Sequence, residues 1–375
     1  MSRPELTIVI PAYNMARWLP FAVESCLWQS EPRVDVLIVN DGSTDSTQQL
    51  AESYARSDAR VRVHSQQNLG LGRTRQVGQN LARGRYMMWL DADDFLDREA
   101  ARAMLAVADR DRVEMVCGNA VVFSDKSFNT RPYFPHPAAS RTSFANPRYW
   151  KSKVTWRWIF GTDFLNGSGI EHPPLKLGQD IVVMFDLLTR GERFSQCADF
   201  VYYFRQEHKG MDSSLETEIE HQLYHYVPVR RLLEGRGQVA PLVRYLSENC
   251  LRDLRNLMPR MAGEDARWRG RIEALCLEIF AEFRQEWLAC GGCDQALGAL
   301  ALAFAAGDLK RAGELLDAWT HVPVVSRDKT SGWHALRRRI KGFFCPLSRS
   351  ARSLHEELER RAQERLGPLW RGRNP

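Results

Sequence analysis

The sequence is organised around WLDADDFLD at residues 89–97, where an apolar run that begins at Tyr86 stops at four aspartates within seven residues. Carboxylates this close repel one another, by about 1 kcal/mol for a pair 4 Å apart in water and by more near a protein surface. A divalent cation that prefers oxygen ligands, such as Mg²⁺ or Mn²⁺, would neutralise them. A solvated acidic turn in which Asp94 or Asp97 caps the next helix fits the same residues. The segment alone leaves both interpretations open.

The residues before this segment alternate between short apolar runs and amphipathic stretches. The apolar runs are rich in β-branched residues and predict strands at 6–10, 34–40, 61–65 and 85–90. The stretches between them predict helices at 15–29 and 44–56, and a third that follows 68–72 and runs to about residue 82. Strands that alternate with helices form right-handed crossovers and a mostly parallel sheet, so we expect an α/β fold.

Each expected strand is followed directly by a polar or glycine-containing segment. These segments are 11–14, 41–45, 68–72 and 91–94. In parallel sheets, ligands bind beyond the carboxyl ends of the strands. We therefore expect the four segments to form one site. The glycines of 68–72 lack the third glycine of a dinucleotide fingerprint, so an NAD site is not expected.

The later sequence predicts a change of architecture. A strand at 114–123 precedes a Pro- and aromatic-rich stretch, 124–150, which predicts a long loop. A helix at 181–189 and a last strand at 200–204 follow, and beyond about residue 215 the patterns are helical only. We predict an α/β domain over 1–215, a helical domain over 216–325 and a basic tail over 326–375.

Composition and charge narrow the class of protein. The 375 residues are 44% hydrophobic and 26% charged, as in soluble globular proteins. The longest apolar run, 296–307, is shorter than the ~20 residues that a bilayer crossing needs. No signal peptide is recognised at the N-terminus, and eight scattered cysteines fit reduced thiols, so we expect a cytoplasmic protein.

The positive charge is concentrated in the tail. Residues 326–375 hold 13 Lys and Arg but 5 Asp and Glu, so they carry +8 in a chain whose net charge is +6. Within them, a helix over 333–344 would place Trp333, Leu336, Ile340 and Phe343 on one face beside cations. This pattern is typical of a helix lying on an anionic membrane surface. A basic helix packed on its own domain fits equally well, and because of the apolar stripe we do not expect nucleic acid as a partner.

Taken together, the first ~210 residues resemble the family 2 glycosyltransferases of the GT-A fold. The resemblance rests on five segments in the family's order and spacing: 9–14 (VIPAYN), 39–45 (VNDGSTD), 68–70 with Arg75, 82–86 (ARGRY) and 90–94 (LDADD). It implies an enzyme of the hexosyltransferase type that transfers a sugar with inversion from a nucleotide-sugar, most often a UDP-sugar. The helical part after residue 215 shows no such resemblance.

The resemblance also implies roles for single residues. Pro11, Ala12 and Tyr13, with Asn14 beside them, would line the nucleoside pocket. Asp41 would hydrogen-bond the base, and Arg75 matches a basic residue near the nucleotide. Asp91 and Asp93 match the DxD motif, the first reaching ribose or metal and the second the metal itself. Mn²⁺ or Mg²⁺ there would act as a Lewis acid on the leaving diphosphate.

Inversion also requires a base that removes the proton of the acceptor hydroxyl. Family members commonly carry a Glu-Asp pair at a helix start, and here the pair is Gln179-Asp180. The resemblance makes Asp180 the base, while a plain helix N-cap is the alternative, and both roles are compatible. Arg205 and His208 resemble a basic loop over the diphosphate, although either also fits a surface position.

The function expected from the sequence is sugar transfer to a glycan or lipid-linked acceptor in bacterial surface polysaccharide or lipopolysaccharide synthesis. The enzyme would be cytoplasmic, with a peripheral contact to the inner face of the membrane through 326–375. The alternative is a non-catalytic nucleotide-sugar binder or scaffold of a polysaccharide assembly complex. A glycoside hydrolase would also use two carboxylates, but it would not need the nucleoside-pocket segments.

Overall fold

The computed structural model describes residues 3–151, 153–173, 178–190, 193–206, 222–236, 240–261, 274–283 and 350–370. Shorter pieces at 285, 299–300, 302–303, 306 and 308–318 are described as well. The chain divides into two units. The first comprises Met1–Pro174, Gly191–Gly210 and His334–Pro375, and the second comprises Leu175–Arg190 and Met211–Trp333.

A single mixed sheet forms the centre of the first unit. Its strands are β1 (Leu6–Ala12), β2 (Val34–Asp41), β3 (Val61–Gln66), β4 (Tyr86–Trp89), β5 (Phe95–Leu96), β6 (Met115–Phe123), β7 (Thr130–Tyr133), β8 (Ala139–Thr142), β9 (Trp158–Gly161) and β10 (Phe194–Arg205). The order is β3-β2-β1-β4-β9-β6-β10-β5, with β7 beside β6 and β8 beside β10. Strands β1 to β4 pair in parallel, and so do β6 and β10. The predicted α/β fold with a mostly parallel sheet is confirmed.

Helices cover the sheet; the first three lie where the sequence pattern predicts helices, and the last two lie where none was predicted. They are α1 (Leu19–Leu27), α2 (Thr47–Ser57), α3 (Leu71–Leu81), α4 (Ala100–Asp111) and α5 (Thr162–Gly167). Helix α3 lies very close to β1, because a Cβ added to Gly78 would stand 2.2 Å from a methyl group of Val9. This approach sets the distance of α3 from the strand ends where the predicted site lies.

The predicted loop over 124–150 is wrong in part. It contains β7, β8 and a 3-10 helix at Pro147–Lys151. Strand β7 includes Pro132, which cannot donate to a ladder, and β7 pairs with β6 alone. The proline content of this stretch therefore concealed two short strands.

Residues 350–366 form the last helix of the chain, which is labelled α11. It packs on the first unit. Its buried stripe joins the core around α1 and consists of Ala351, Leu354, Leu358, Ala362 and Leu366. Arg365 pairs with buried Glu24 of α1 at 2.9 Å, and the His355 ring lies 4.4 Å from the Phe21 ring. The apolar stripe of this helix is thus covered by its own domain. Residues 333–344, for which membrane contact was predicted, lie outside the described residues.

The second unit is helical in every part that the structure describes. Its helices are α6 (Gln179–Thr189), α7 (Tyr226–Gly235), α8 (Ala240–Met261), α9 (274–283) and α10 (Leu309–Ala318). Helix α7 packs against α6 and α8, and Arg231 of α7 pairs with Glu278 and Glu282 of α9 at 2.8 and 2.6 Å. The predicted helical C-terminal region is confirmed. Among the described helices of both units, none combines the length and the apolar character that a membrane crossing requires.

Candidate functional site

The carboxyl ends of β1, β2, β3 and β4 meet at one edge of the sheet, because these strands are parallel neighbours. The predicted nucleotide-binding residues up to Asp93 lie at the ends of these strands or in the segments that follow them, except Arg75, which lies in α3. The structure therefore brings these residues to a common edge, as the sequence analysis expected.

The turn after β1 is tied to the turn after β2 by Asn14. Its side-chain Oδ1 accepts from the Thr44 amide at 2.8 Å, and its own amide donates to Ser43 Oγ at 3.0 Å. Asn14 has φ of 54°, a left-handed conformation that asparagine tolerates better than most residues. Pro11 and Ala12 are buried in β1, whereas Tyr13 is 44% exposed. Tyr13 and Asn14 are thus the exposed residues of this segment.

Asp41, at the end of β2, closes the next turn. Its side chain is buried and accepts three hydrogen bonds: Gln66 Nε2 at 2.8 Å and the amides of Leu69 and Gly70 at 2.8 and 2.9 Å. Gly42 has φ of +72°, and a Cβ there would stand 2.8 Å from the Asn68 nitrogen. Asp41 therefore holds the 66–70 turn against β2. Its contact with a base stays a prediction.

Arg75 of α3 supplies positive charge to the aspartate cluster. Its Nη2 donates to Asp91 Oδ1 at 2.7 Å, and the Arg75 side chain is 3% exposed against 25% for Asp91. A buried guanidinium beside a carboxylate forms a strong, charge-assisted hydrogen bond. Part of the repulsion within 91–97 is thus relieved by the protein itself.

Beside Arg75 lies a buried histidine that the sequence analysis did not identify. The ring of His172 meets Trp89 edge-on at 5.0 Å, and its amide donates to Gln76 Oε1 at 3.0 Å. Burial, reinforced by the charge of Arg75, lowers the pKa of His172 to about 3. The imidazole is therefore neutral at physiological pH.

The four residues Asp91 to Asp94 form a turn, closed by the Asp94 amide donating to the Asp91 carbonyl at 3.0 Å. Asp91 and Asp93 are half-buried, whereas Asp94 is completely buried. Burial, with the negative charges of Asp93 and Asp91, raises the pKa of Asp94 well above its usual range. Asp94 is therefore the member of the cluster least suited to remain charged.

Across the described residues, no three His, Cys, Asp or Glu side chains are grouped as a metal site. Two half-buried carboxylates are nevertheless a donor set that suits Mg²⁺ or Mn²⁺, because these ions commonly take one or two carboxylates and complete their shell with waters and substrate phosphates. Asp91 and Asp93 thus fit an ion that binds together with a diphosphate.

Arg205, at the end of β10, is buried and not a surface residue. Its Nη1 pairs with Asp125 at 2.9 Å, its Nε donates to the Asp93 carbonyl at 2.7 Å, and its guanidinium lies 4.1 Å from the Trp18 ring centre. The surface alternative for Arg205 is therefore wrong. Contact with a diphosphate would require the guanidinium to leave these partners. His208 lies outside the described residues.

Asp180 is the second residue of α6 and belongs to the second unit. The N-cap of α6 is Gly178, with φ of 78°, so the alternative in which Asp180 is a plain N-cap is wrong. A carboxylate in the first turn of a helix interacts favourably with the helix dipole. The role of Asp180 as a base stays a prediction.

The strand order and the aspartate turn after β4 define a GT-A fold. Residues 7–163 match the family model described as Glycosyl transferase family 2. The succinoglycan biosynthesis protein ExoO of Rhizobium meliloti is 30% identical over 216 residues, which cover 54% of this chain and 62% of ExoO. The uncharacterized glycosyltransferase EpsJ of Bacillus subtilis is 25% identical over 215 residues, which cover 54% of this chain and 61% of EpsJ. The match thus spans about three fifths of the length of each relative.

Solved structures extend the likeness beyond the family segment. TarS of S. aureus, residues 1–349 in complex with UDP-GlcNAc, superposes with a TM-score of 0.66 at 16% identity. The superposition covers 84% of this chain and 91% of TarS 1–349. At this identity the comparison shows the shared fold.

Proposed function

We propose that this chain is an inverting glycosyltransferase that moves a sugar from a UDP-sugar to a hydroxyl of a glycan or lipid-linked acceptor. The observation that carries the proposal is the placement of Asp91 and Asp93 on the same sheet edge as Asp41 and Tyr13, within a family 2 domain. The process would be bacterial surface polysaccharide or lipopolysaccharide synthesis. ExoO is named for succinoglycan biosynthesis and TarS was crystallised with UDP-GlcNAc, which supports this choice.

Charge governs the chemistry proposed for this edge. When the bond between the anomeric carbon and the diphosphate breaks, the electron pair leaves with the diphosphate, which gains negative charge. A divalent cation held by Asp91 and Asp93 would supply Lewis-acid stabilisation there. Arg75 keeps Asp91 in place through its 2.7 Å bond and balances the charge of the carboxylate before a ligand arrives.

Asp180 is proposed as the general base. As the acceptor oxygen forms its bond to the anomeric carbon from the face opposite the diphosphate, a carboxylate oxygen of Asp180 takes the hydroxyl proton. The family position of the residue supports this role. Gln179 stands where the family commonly has Glu, so one negative charge beside the base is lost.

The substitution at Gln179 is also the observation that favours a second function, a non-catalytic nucleotide-sugar binder or scaffold. The two functions differ in turnover. A panel of nucleotide-sugars, read by donor hydrolysis and by transfer to acceptor sugars, separates them. The enzyme is expected to hydrolyse at least one UDP-sugar in the presence of Mn²⁺ or Mg²⁺. Binding without hydrolysis or transfer of any donor would favour the scaffold.

We also propose that the enzyme works in the cytoplasm, with residues 333–344 contacting the inner face of the membrane. The basic and apolar residues of that stretch support the contact. Because α11 packs into the core, the test must leave 350–370 intact. Replacing Arg337, Arg338 and Arg339 with glutamate should abolish sedimentation with anionic liposomes and leave donor hydrolysis unchanged. Sedimentation that persists would contradict the contact.

A further inference from the structure

The turn at residues 91–94, called here the aspartate turn, is held by hydrogen bonds from the end of β10. Strand β5, which follows the turn directly, pairs antiparallel with β10 and places Leu96 opposite Tyr202. This pairing brings the side chain of Tyr202 and the backbone of Arg205 to the turn, although 108 residues separate Tyr202 from Asp94 in the sequence.

Tyr202 connects the two ends of the turn through one hydroxyl group. The hydroxyl donates to Asp94 Oδ2 at 2.7 Å and accepts from the Asp91 amide at 3.2 Å. It therefore fixes the first residue of the turn to the side chain of the last. The Tyr202 side chain is completely buried, so no water competes for these two bonds.

Arg205 holds the same turn at two further points. Its amide donates to Asp94 Oδ1 at 2.7 Å, and its Nε donates to the Asp93 carbonyl at 2.7 Å. The guanidinium is itself fixed by Asp125 and by stacking 4.1 Å from the Trp18 ring centre. Both carboxylate oxygens of Asp94, the Asp93 carbonyl and the Asp91 amide are thus bound by buried groups of Tyr202 and Arg205.

We propose that Tyr202 and Arg205 are positioning residues that hold Asp91 and Asp93 in the orientation needed to bind a divalent cation with a nucleoside diphosphate. The role of the two aspartates rests on the proposed function. In this proposal Asp94 does not bind the ligand. Its two carboxylate oxygens accept the hydrogen bonds from Tyr202 and Arg205 that orient the turn. Sites held by locked, hydrogen-bonded side chains bind ligands without first ordering the loop.

The chain offers a matched pair of variants for the test. Tyr202→Phe removes the hydroxyl that reaches Asp91 and Asp94. Tyr203→Phe removes a hydroxyl from the next residue of the same strand, also buried, which reaches only Asp97 at 3.5 Å. A purely structural role would give both variants similar behaviour.

The first readout is amide hydrogen exchange of the ligand-free protein at Asp94, whose bond to the Asp91 carbonyl does not involve Tyr202. Because Tyr202→Phe removes two buried hydrogen bonds of the turn, it should speed this exchange at least about tenfold, while Tyr203→Phe leaves it unchanged. Equal exchange in the wild type and both variants would overturn the proposal.

The second readout is UDP affinity by calorimetry with and without Mn²⁺. Tyr202→Phe should weaken UDP binding about tenfold in Mn²⁺ and leave the Mn²⁺-free affinity unchanged. If Tyr202→Phe weakens UDP binding equally with and without Mn²⁺, Tyr202 does not orient Asp91 and Asp93 for the cation. If exchange at Asp94 responds to Tyr202→Phe but the wild type binds no UDP, Tyr202 does position the turn and the proposed function is wrong.

Arg205→Lys provides an independent variant. Lysine keeps the charge beside Asp125, but its single ammonium group cannot replace both guanidinium contacts. Arg157→Lys is its control, because Arg157 is also fully buried and donates to the carbonyls of Tyr133 and Phe134, away from the turn. The two readouts should respond to Arg205→Lys and not to Arg157→Lys. A response to Arg157→Lys but not to Arg205→Lys would show that Arg205 does not position the turn.

Discussion

Arg75 Nη2 lies 2.7 Å from Asp91 Oδ1, with the guanidinium buried and the carboxylate still 25% exposed. Through this pair, the positive charge of Arg75 lies beside the segment 91–97, which contains four aspartates. With Arg205 on the other side of the turn, the protein contributes two guanidinium groups to its own aspartate cluster. These groups offset part of the repulsion within the cluster, and the carboxylates of Asp91 and Asp93 remain half-buried at the sheet edge.

Replacing Arg75 with methionine should reduce both stability and ligand binding. The change keeps the apolar stem and leaves Asp91 uncompensated, so we expect a loss of about 1–3 kcal/mol in the free energy of unfolding and weaker UDP binding. Arg62→Met is the control, because Arg62 pairs with Asp35 at 2.6 Å on the same sheet. It should lower stability in urea unfolding without changing UDP affinity. Unaltered UDP affinity in Arg75→Met would contradict the role of Arg75.

Replacing Asp180 with asparagine should separate binding from turnover. Donor affinity should stay near that of the wild type, whereas the rate of transfer falls by 10²–10⁴, the usual contribution of a general base. Asp186→Asn on the same helix is the control, since Asp186 pairs with Arg190 at 3.0 Å and has no proposed catalytic role. Steady-state transfer by Asp180→Asn within about tenfold of the wild-type rate would exclude the base assignment.

The acid sensitivity of the first unit should depend on His172. Its pKa is lowered from 6.5 to about 3 in the folded protein, so between these pH values the unfolded chain takes up a proton that the folded one does not. The free energy of unfolding must then fall as the pH is lowered from 6.5 towards 3. His172→Gln, which cannot titrate, should flatten this decline in urea unfolding curves. His136→Gln should flatten it over a narrower range, because burial lowers the pKa of His136 only to about 4. Parallel pH profiles for wild type and His172→Gln would refute the prediction.

The C-terminal helix α11 should behave as part of the core. Leu358 is completely buried against the first unit, so Leu358→Ala should lower the free energy of unfolding by about 2–5 kcal/mol. Gln363→Ala, an exposed position of the same helix, should stay within about 0.5 kcal/mol of the wild type. Thermal or urea unfolding measures both. Equal stability of the two variants would show that α11 does not contribute to the core in solution.

The sheet and the site edge could be predicted because their signals are local. Runs such as 34–40 are apolar and β-branched, and the polar segment after each run marks the end of a strand. Parallel pairing then dictates that the ends share an edge. Asp41, Asp91 and Asp93 followed from this reasoning together with the resemblance to a family.

The contacts that hold the turn could not be predicted, because they join residues far apart in the chain. Nothing near Tyr202 in the sequence indicates that its hydroxyl reaches Asp94, and the resemblance that drew attention to Arg205 does not show its contacts with Asp93, Asp94 and Asp125. The same limit applies to α11: the pairing of Arg365 with Glu24 spans 341 residues. For such contacts, the partner is set by the packing of the whole unit.

The most direct test of the central claim is titration of UDP into the wild-type chain and into Asp93→Asn, with and without Mn²⁺. Asp109→Asn, on the exposed side of α4 and paired with Arg85, serves as the control. We expect Mn²⁺ to raise the UDP affinity of the wild type and of Asp109→Asn at least tenfold and to have no effect on the UDP affinity of Asp93→Asn. UDP binding that is independent of Mn²⁺ in all three proteins, or absent from the wild type, would contradict it.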